Sequence, residues 1–101
     1  MARFDVHPTP GRATHGFVLE VQADLLSHLA TRAVVPLLRR EDASLPIRDL
    51  NPSFEINGES YVMLAQAIAS VPVKELGATV ASLKDRRDDI TRALDILLAG
   101  F

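Results

Sequence analysis

The dipeptide Asn57-Gly58 constrains this chain more tightly than any other local feature. A two-residue type I′ turn needs positive φ at both central positions, and Asn-Gly supplies it with little steric cost. A turn at this point places Phe54 opposite Tyr61 and Ile56 opposite Glu59. It also puts Phe54, Ile56, Tyr61 and Met63 on one face. A cross-strand aromatic pair stabilises such a hairpin by about 0.5–1 kcal/mol. The centre of the chain is therefore antiparallel β-structure with one apolar face, which another element must cover.

The flanking sequence extends this pattern. Arg3 to His7 alternates with period two and reads as a strand, with Phe4 and Val6 facing the core. Pro8-Thr9-Pro10-Gly11 breaks it. His15 to Ala23 reads as a second strand through Phe17, Leu19 and Val21, and the segment from Asp24 to Ala30 as a helical turn. Arg32 to Leu38 reads as a third strand. Pro36 within it lacks a ladder donor, which predicts an edge or a bulge. Arg39 to Leu45 reads as a solvated loop. Ala65 to Val73 reads as extended and ends at Pro72, before a turn at Lys74-Glu75-Leu76-Gly77. Thr79 to Ala81 reads as one more short strand.

The C-terminal segment is helical by period. Leu83, Ile90, Ala93, Leu94, Leu97 and Phe101 fall on one stripe at 100° per residue. Ser82 followed by Asp85 resembles a capping box. Ile96 lies off the stripe and Leu98 at its margin, so the helix carries more apolar surface than one core contact requires. Many short antiparallel strands before one terminal helix make an α+β class, and 101 residues fit a single domain, 1–101.

Composition narrows the function classes. There is no cysteine, which removes disulfides, thiolate metal sites and cysteine nucleophiles. Together with an N-terminus lacking an apolar signal core, this predicts a cytoplasmic protein. No apolar run is long enough to span a bilayer. A formal net charge of −2 argues against direct nucleic-acid binding. His7, His15 and His28 share no ligand-like spacing and read as ordinary strand and loop histidines. Asp85, Asp88 and Asp89 sit where negative charge complements a helix start. Arg39-Arg40 is neutralised by Glu41-Asp42. No nucleophile elbow or phosphate-cradling loop is present. The sequence thus predicts neither catalytic residues nor cofactors. Its unusual features are the apolar residues Leu25-Leu26 and Leu98-Ala99-Gly100-Phe101.

The run Leu50-Asn51-Pro52-Ser53-Phe54-Glu55-Ile56-Asn57-Gly58-Glu59-Ser60-Tyr61-Val62-Met63-Leu64 resembles the central hairpin of the CcdB toxin family. Val18 to Leu26 is similar to the family's second strand, and Val34-Val35-Pro36-Leu37 to its Val-x-Pro-Leu strand. Ala69 to Val73 with Leu76-Gly77, Val80 to Leu83, and the last helix with Asp89-Ile90 and Gly100-Phe101 match in the family's order. The resemblance implies a mostly antiparallel, SH3-like barrel of the CcdB/MazF type, with a small second sheet and a C-terminal helix. It implies a homodimer that binds the A subunit of DNA gyrase and traps the gyrase–DNA cleavage complex without chemistry of its own. It also implies a CcdA-like antitoxin as the neutralising partner.

Carried over by position, the gyrase-binding residues are Leu25, Leu26, Asp95, Leu98, Ala99, Gly100 and Phe101. The plasmid-borne form of the family has an amide at the position of Asp95, an aromatic at Leu98 and a tryptophan at Ala99. Two alternatives stand beside this one. A MazF-like endoribonuclease would draw on His15, Arg12 and Arg32. A non-toxic homologue would bind only its antitoxin or itself.

Overall fold

A computed structural model describes residues 2–10 and 16–100. Seven strands, β1 (Asp5–Pro8), β2 (Phe17–Glu20), β3 (Thr31–Arg39), β4 (Ser53–Ile56), β5 (Glu59–Met63), β6 (Ala69–Pro72) and β7 (Ala81–Ser82), precede one helix, α1 (Arg87–Ala99). The strands share one antiparallel network in the order β4-β5-β3-β2-β1-β7, and β6 pairs with β3 off that path. The sheet curls into a nearly closed barrel. In place of a separate smaller sheet, β6 forms a short arm on β3 within this same network.

The Asn57-Gly58 turn forms as its chemistry requires. Both residues have positive φ, 53° and 82°, and Phe54 pairs with Tyr61 and Ile56 with Glu59. Phe54, Ile56, Tyr61 and Met63 are all buried in the core. Tyr61 stacks at a tilt on Phe17 from β2, with centroids 5.1 Å apart, while Arg86 lies over the Phe54 ring at 4.8 Å. The aromatic contacts thus tie the hairpin to β2 and to the approach to the helix. Val6, Leu19, Val35 and Leu37 complete the sheet's inner face, on which Ile90, Ala93 and Leu94 of α1 pack.

Three local expectations are corrected. Pro36 lies in β3, an interior strand, opposite Val18 of β2. Along its other side β3 meets β5 at residues 37–39 and β6 at residues 31–34. Pro36 falls at the seam between them. Its carbonyl accepts from Leu64 N–H at 3.0 Å, and the donor it lacks would serve only the last rung of the β3–β5 ladder, where the chain turns away at Ala65. The run from Ala65 to Val73 is not continuously extended. A 3₁₀ turn at Ala65–Ala67 carries the chain across that seam, with Ala65 fully buried, before β6 begins. The capping box does not form either. Ser82 belongs to β7, and its hydroxyl accepts only a long bond, 3.4 Å, from Lys84 N–H at a 3₁₀ turn. The α-helix proper starts later, without a side-chain cap.

The opposite face of the sheet also buries residues. Val18, Val34 and Val62 are covered there, in company with His7, Glu20 and Arg32.

Candidate partner-binding surface and a buried polar triad

Leu25 and Leu26 lie on a 3₁₀ turn, Asp24–Leu26, that has no buried residue. Leu25 is 85% exposed and Leu26 41%. On α1, Leu98 is 76% exposed, and Asp95, Ala99 and Gly100 are exposed as well. Asp95, Leu98 and Ala99 stand at i, i+3 and i+4, so they share one stretch of helix surface. Gly100 ends the helix in the left-handed conformation, φ 84°, and its N–H donates to the carbonyls of Asp95 and Ile96. That is a reason for glycine independent of any partner. Phe101 lies outside the described residues, as do Arg12 and His15.

Arg3 connects the two halves of this surface. Its backbone N–H donates to Asp24 Oδ1 at 2.8 Å, and its Nε donates to the Val21 carbonyl at 3.1 Å. Its guanidinium lies over the Phe4 ring at 4.6 Å. Arg3 and Phe4 also form one wall of a groove of about 330 Å³ whose other wall is the helix face with Arg92 and Asp95. The leucine turn and the helix therefore flank a common strand end.

Behind the leucine turn lies a buried triad with one member from each of three adjacent strands. His7 Nε2 lies 2.8 Å from Glu20 Oε2, and Arg32 Nε lies 3.3 Å from Glu20 Oε1. His7 Nδ1 donates to the Gly77 carbonyl at 2.9 Å, since a carbonyl can only accept. Arg32 donates from Nη1 to the carbonyls of Leu29 (2.7 Å) and Thr31 (3.0 Å), and from Nη2 to that of Ser27 (2.7 Å). His7 is fully buried, and Glu20 and Arg32 nearly so. Asp5 brings a third potential ligand near His7 and Glu20, within 4.8 Å. Its Oδ2 accepts from Ala2 N–H at 2.8 Å and from Thr79 Oγ1 at 3.3 Å. Hydrogen bonds within the protein account for this cluster.

Sequence reasoning passes over Glu20 and reads His7 as an ordinary strand residue. The available signal is a polar side chain inside apolar strand sequence, as in Leu19-Glu20-Val21. The triad also bears on catalysis. Arg32, one of the two arginines of the endoribonuclease alternative, turns its guanidinium inward onto Glu20 and three carbonyls. Arg39 instead forms surface ion pairs, with Glu59 at 3.3 Å and Glu41 at 3.6 Å. Hydrogen bonding to Tyr61, then the charge of Glu59, raises its pKa.

A family model described as CcdB protein matches residues 3–100. The chain belongs to the CcdB family. Among solved structures, an endoribonuclease in complex with its cognate antitoxin from a mycobacterial species superposes with a TM-score of 0.80. It is 17% identical, and the match covers 97% of this chain and 94% of that one. The Mycobacterium tuberculosis toxin MazF-mt6 gives a TM-score of 0.71 at 15% identity, covering 90% and 92%. At these identities the likeness is one of fold. CcdB-family and MazF-type proteins share the curled antiparallel sheet with a C-terminal helix, and family and fold together support a toxin of a toxin–antitoxin pair. Among the described residues, no helix is long and apolar enough to cross a membrane.

Proposed function

We propose that this CcdB-family chain, a single domain over residues 1–101, is a cytoplasmic toxin that acts by binding rather than by catalysis. Its target is the A subunit of DNA gyrase, which it engages as a homodimer, trapping the gyrase–DNA cleavage complex. A CcdA-like antitoxin neutralises it. The observation that carries this reading is the display of Leu25 and Leu98 on a chain of this family. Both side chains are mostly exposed, and neither belongs to the core. Burying a leucine side chain against a partner contributes about 1.5–3 kcal/mol. A ligand that favours one state of gyrase shifts its population toward that state, so no bond need be made or broken by the toxin. The guanidinium of Arg32, buried and bonded to Glu20 and three carbonyls, supports a binder over a nuclease.

The test is a titration of the purified A subunit of gyrase with the wild type and with Leu25→Asp and Leu98→Asp. Each substitution at these exposed sites changes folding stability by less than about 0.5 kcal/mol. Each weakens gyrase binding roughly tenfold or more, as expected for losing a buried leucine contact. Equal affinity of all three proteins contradicts the proposed surface.

A further inference from the structure

The leucine turn presents a physical problem whose solution lies in the buried triad. Residues 23–31 are all exposed, and three of them are leucines: Leu25, Leu26 and Leu29. A segment without a buried apolar anchor has no hydrophobic reason to hold one conformation, and its leucines gain by collapsing onto nearby apolar surface. The segment is instead tied down by polar side chains that flank it, Gln22 just past β2 and Arg32 in β3. Gln22 Nε2 donates to the Leu26 carbonyl at 3.1 Å and to that of Thr31 at 3.2 Å, while its Oε1 accepts from Ala33 N–H at 3.0 Å. Arg32 takes the carbonyls of Ser27, Leu29 and Thr31. Charge-assisted bonds of this kind are stronger than neutral ones, and a planar fork fixes several acceptors at once.

We propose that Arg32 is a positioning residue: its guanidinium holds the turn in the shape that displays Leu25, Leu26 and Leu29 outward, ready for a partner. Glu20 orients that guanidinium from inside the sheet, and His7 completes the anchor by linking Glu20 to Gly77. Leu29 thereby joins the docking surface. Pre-ordering the turn spares the partner the entropy of ordering it on contact. The proposal rests on the gyrase reading only for the identity of that partner.

Arg32→Lys is the variant that tests it. Lysine retains a positive charge for Glu20 but, as a compact ammonium, cannot reproduce the fork over three carbonyls. The readout is amide hydrogen exchange in the free, full-length protein, resolved by residue. Leu26, Ser27 and Leu29, whose N–H groups are bonded within the turn, exchange roughly tenfold faster in the variant, matching the loss of charged hydrogen bonds. Amides of the sheet, such as Val35 and Leu37, change far less. Binding to gyrase weakens in parallel. Unchanged exchange in the turn overturns the proposal, and so does a uniform increase across turn and sheet, which marks Arg32 as merely structural. The wild type gives a second check that needs no variant. The Arg32 Nη protons are protected from solvent exchange if they hold the turn, and freely exchanging Nη protons contradict the latch. Wild-type protein that fails to bind gyrase, with turn order still dependent on Arg32, removes the partner and leaves the latch standing.

Discussion

Glu20 sits between His7 and Arg32 with almost no access to water. Removing one member of a buried, hydrogen-bonded charge pair leaves the other uncompensated, at a cost of about 3–5 kcal/mol. Glu20→Ala is therefore expected to lower the unfolding free energy by about 3 kcal/mol or more, a large share of a small domain's stability. Urea unfolding followed by circular dichroism measures it, and a loss below about 1 kcal/mol means that the triad contributes little. This residue also marks a limit of sequence reading. The triad depends on register, with Val6 opposite Leu19 and Glu20 opposite Val34 bringing the members together from three strands. No local pattern in any one strand shows such a coincidence. The exposed leucines are legible, because Leu25-Leu26 follows the end of a strand and Leu98 lies at the margin of the helical stripe.

At the level of elements, local chemistry decides most where it requires a rare conformation. The Asn57-Gly58 hairpin is in the register its turn type dictates. Gly58 holds φ 82°, so Gly58→Ala is strained by about 1 kcal/mol or more, although a Cβ there meets no neighbour within 4 Å. A thermal melt should show the loss, and an unchanged midpoint contradicts a strained turn. The helix start is not legible in the same way, because Ser82 and Asp85 have the composition of a capping box while the chain is still leaving β7. Ser82→Ala accordingly lowers stability by well under the roughly 1 kcal/mol of a true N-cap. A full N-cap loss in urea unfolding would restore the earlier start of the helix. Pro36 departs from its edge-strand expectation for a related reason. One side of β3 is shared by two strands, and the seam between them tolerates a missing donor that a continuous ladder would not.

At the scale of the whole molecule, one curled sheet and one helix serve both CcdB-family chains and endoribonuclease toxins, so the fold alone does not choose between binding and cleavage. The choice rests on side chains. The leucines at the turn and the helix end face outward, and Arg32 faces inward onto Glu20 and three carbonyls. Family membership is legible because the matching segments span nearly the whole chain in order. The partner is legible only through that resemblance, since Asp95, Leu98 and Ala99 depart from the plasmid-borne pattern at the helix end. The most direct test mixes the purified protein with supercoiled plasmid and gyrase from the source organism, with a parallel incubation on RNA. The proposed function predicts linear DNA released by detergent and protease, its loss in Leu98→Asp, and intact RNA. Intact plasmid together with cleaved RNA would contradict gyrase poisoning and make the chain a nuclease on a shared fold.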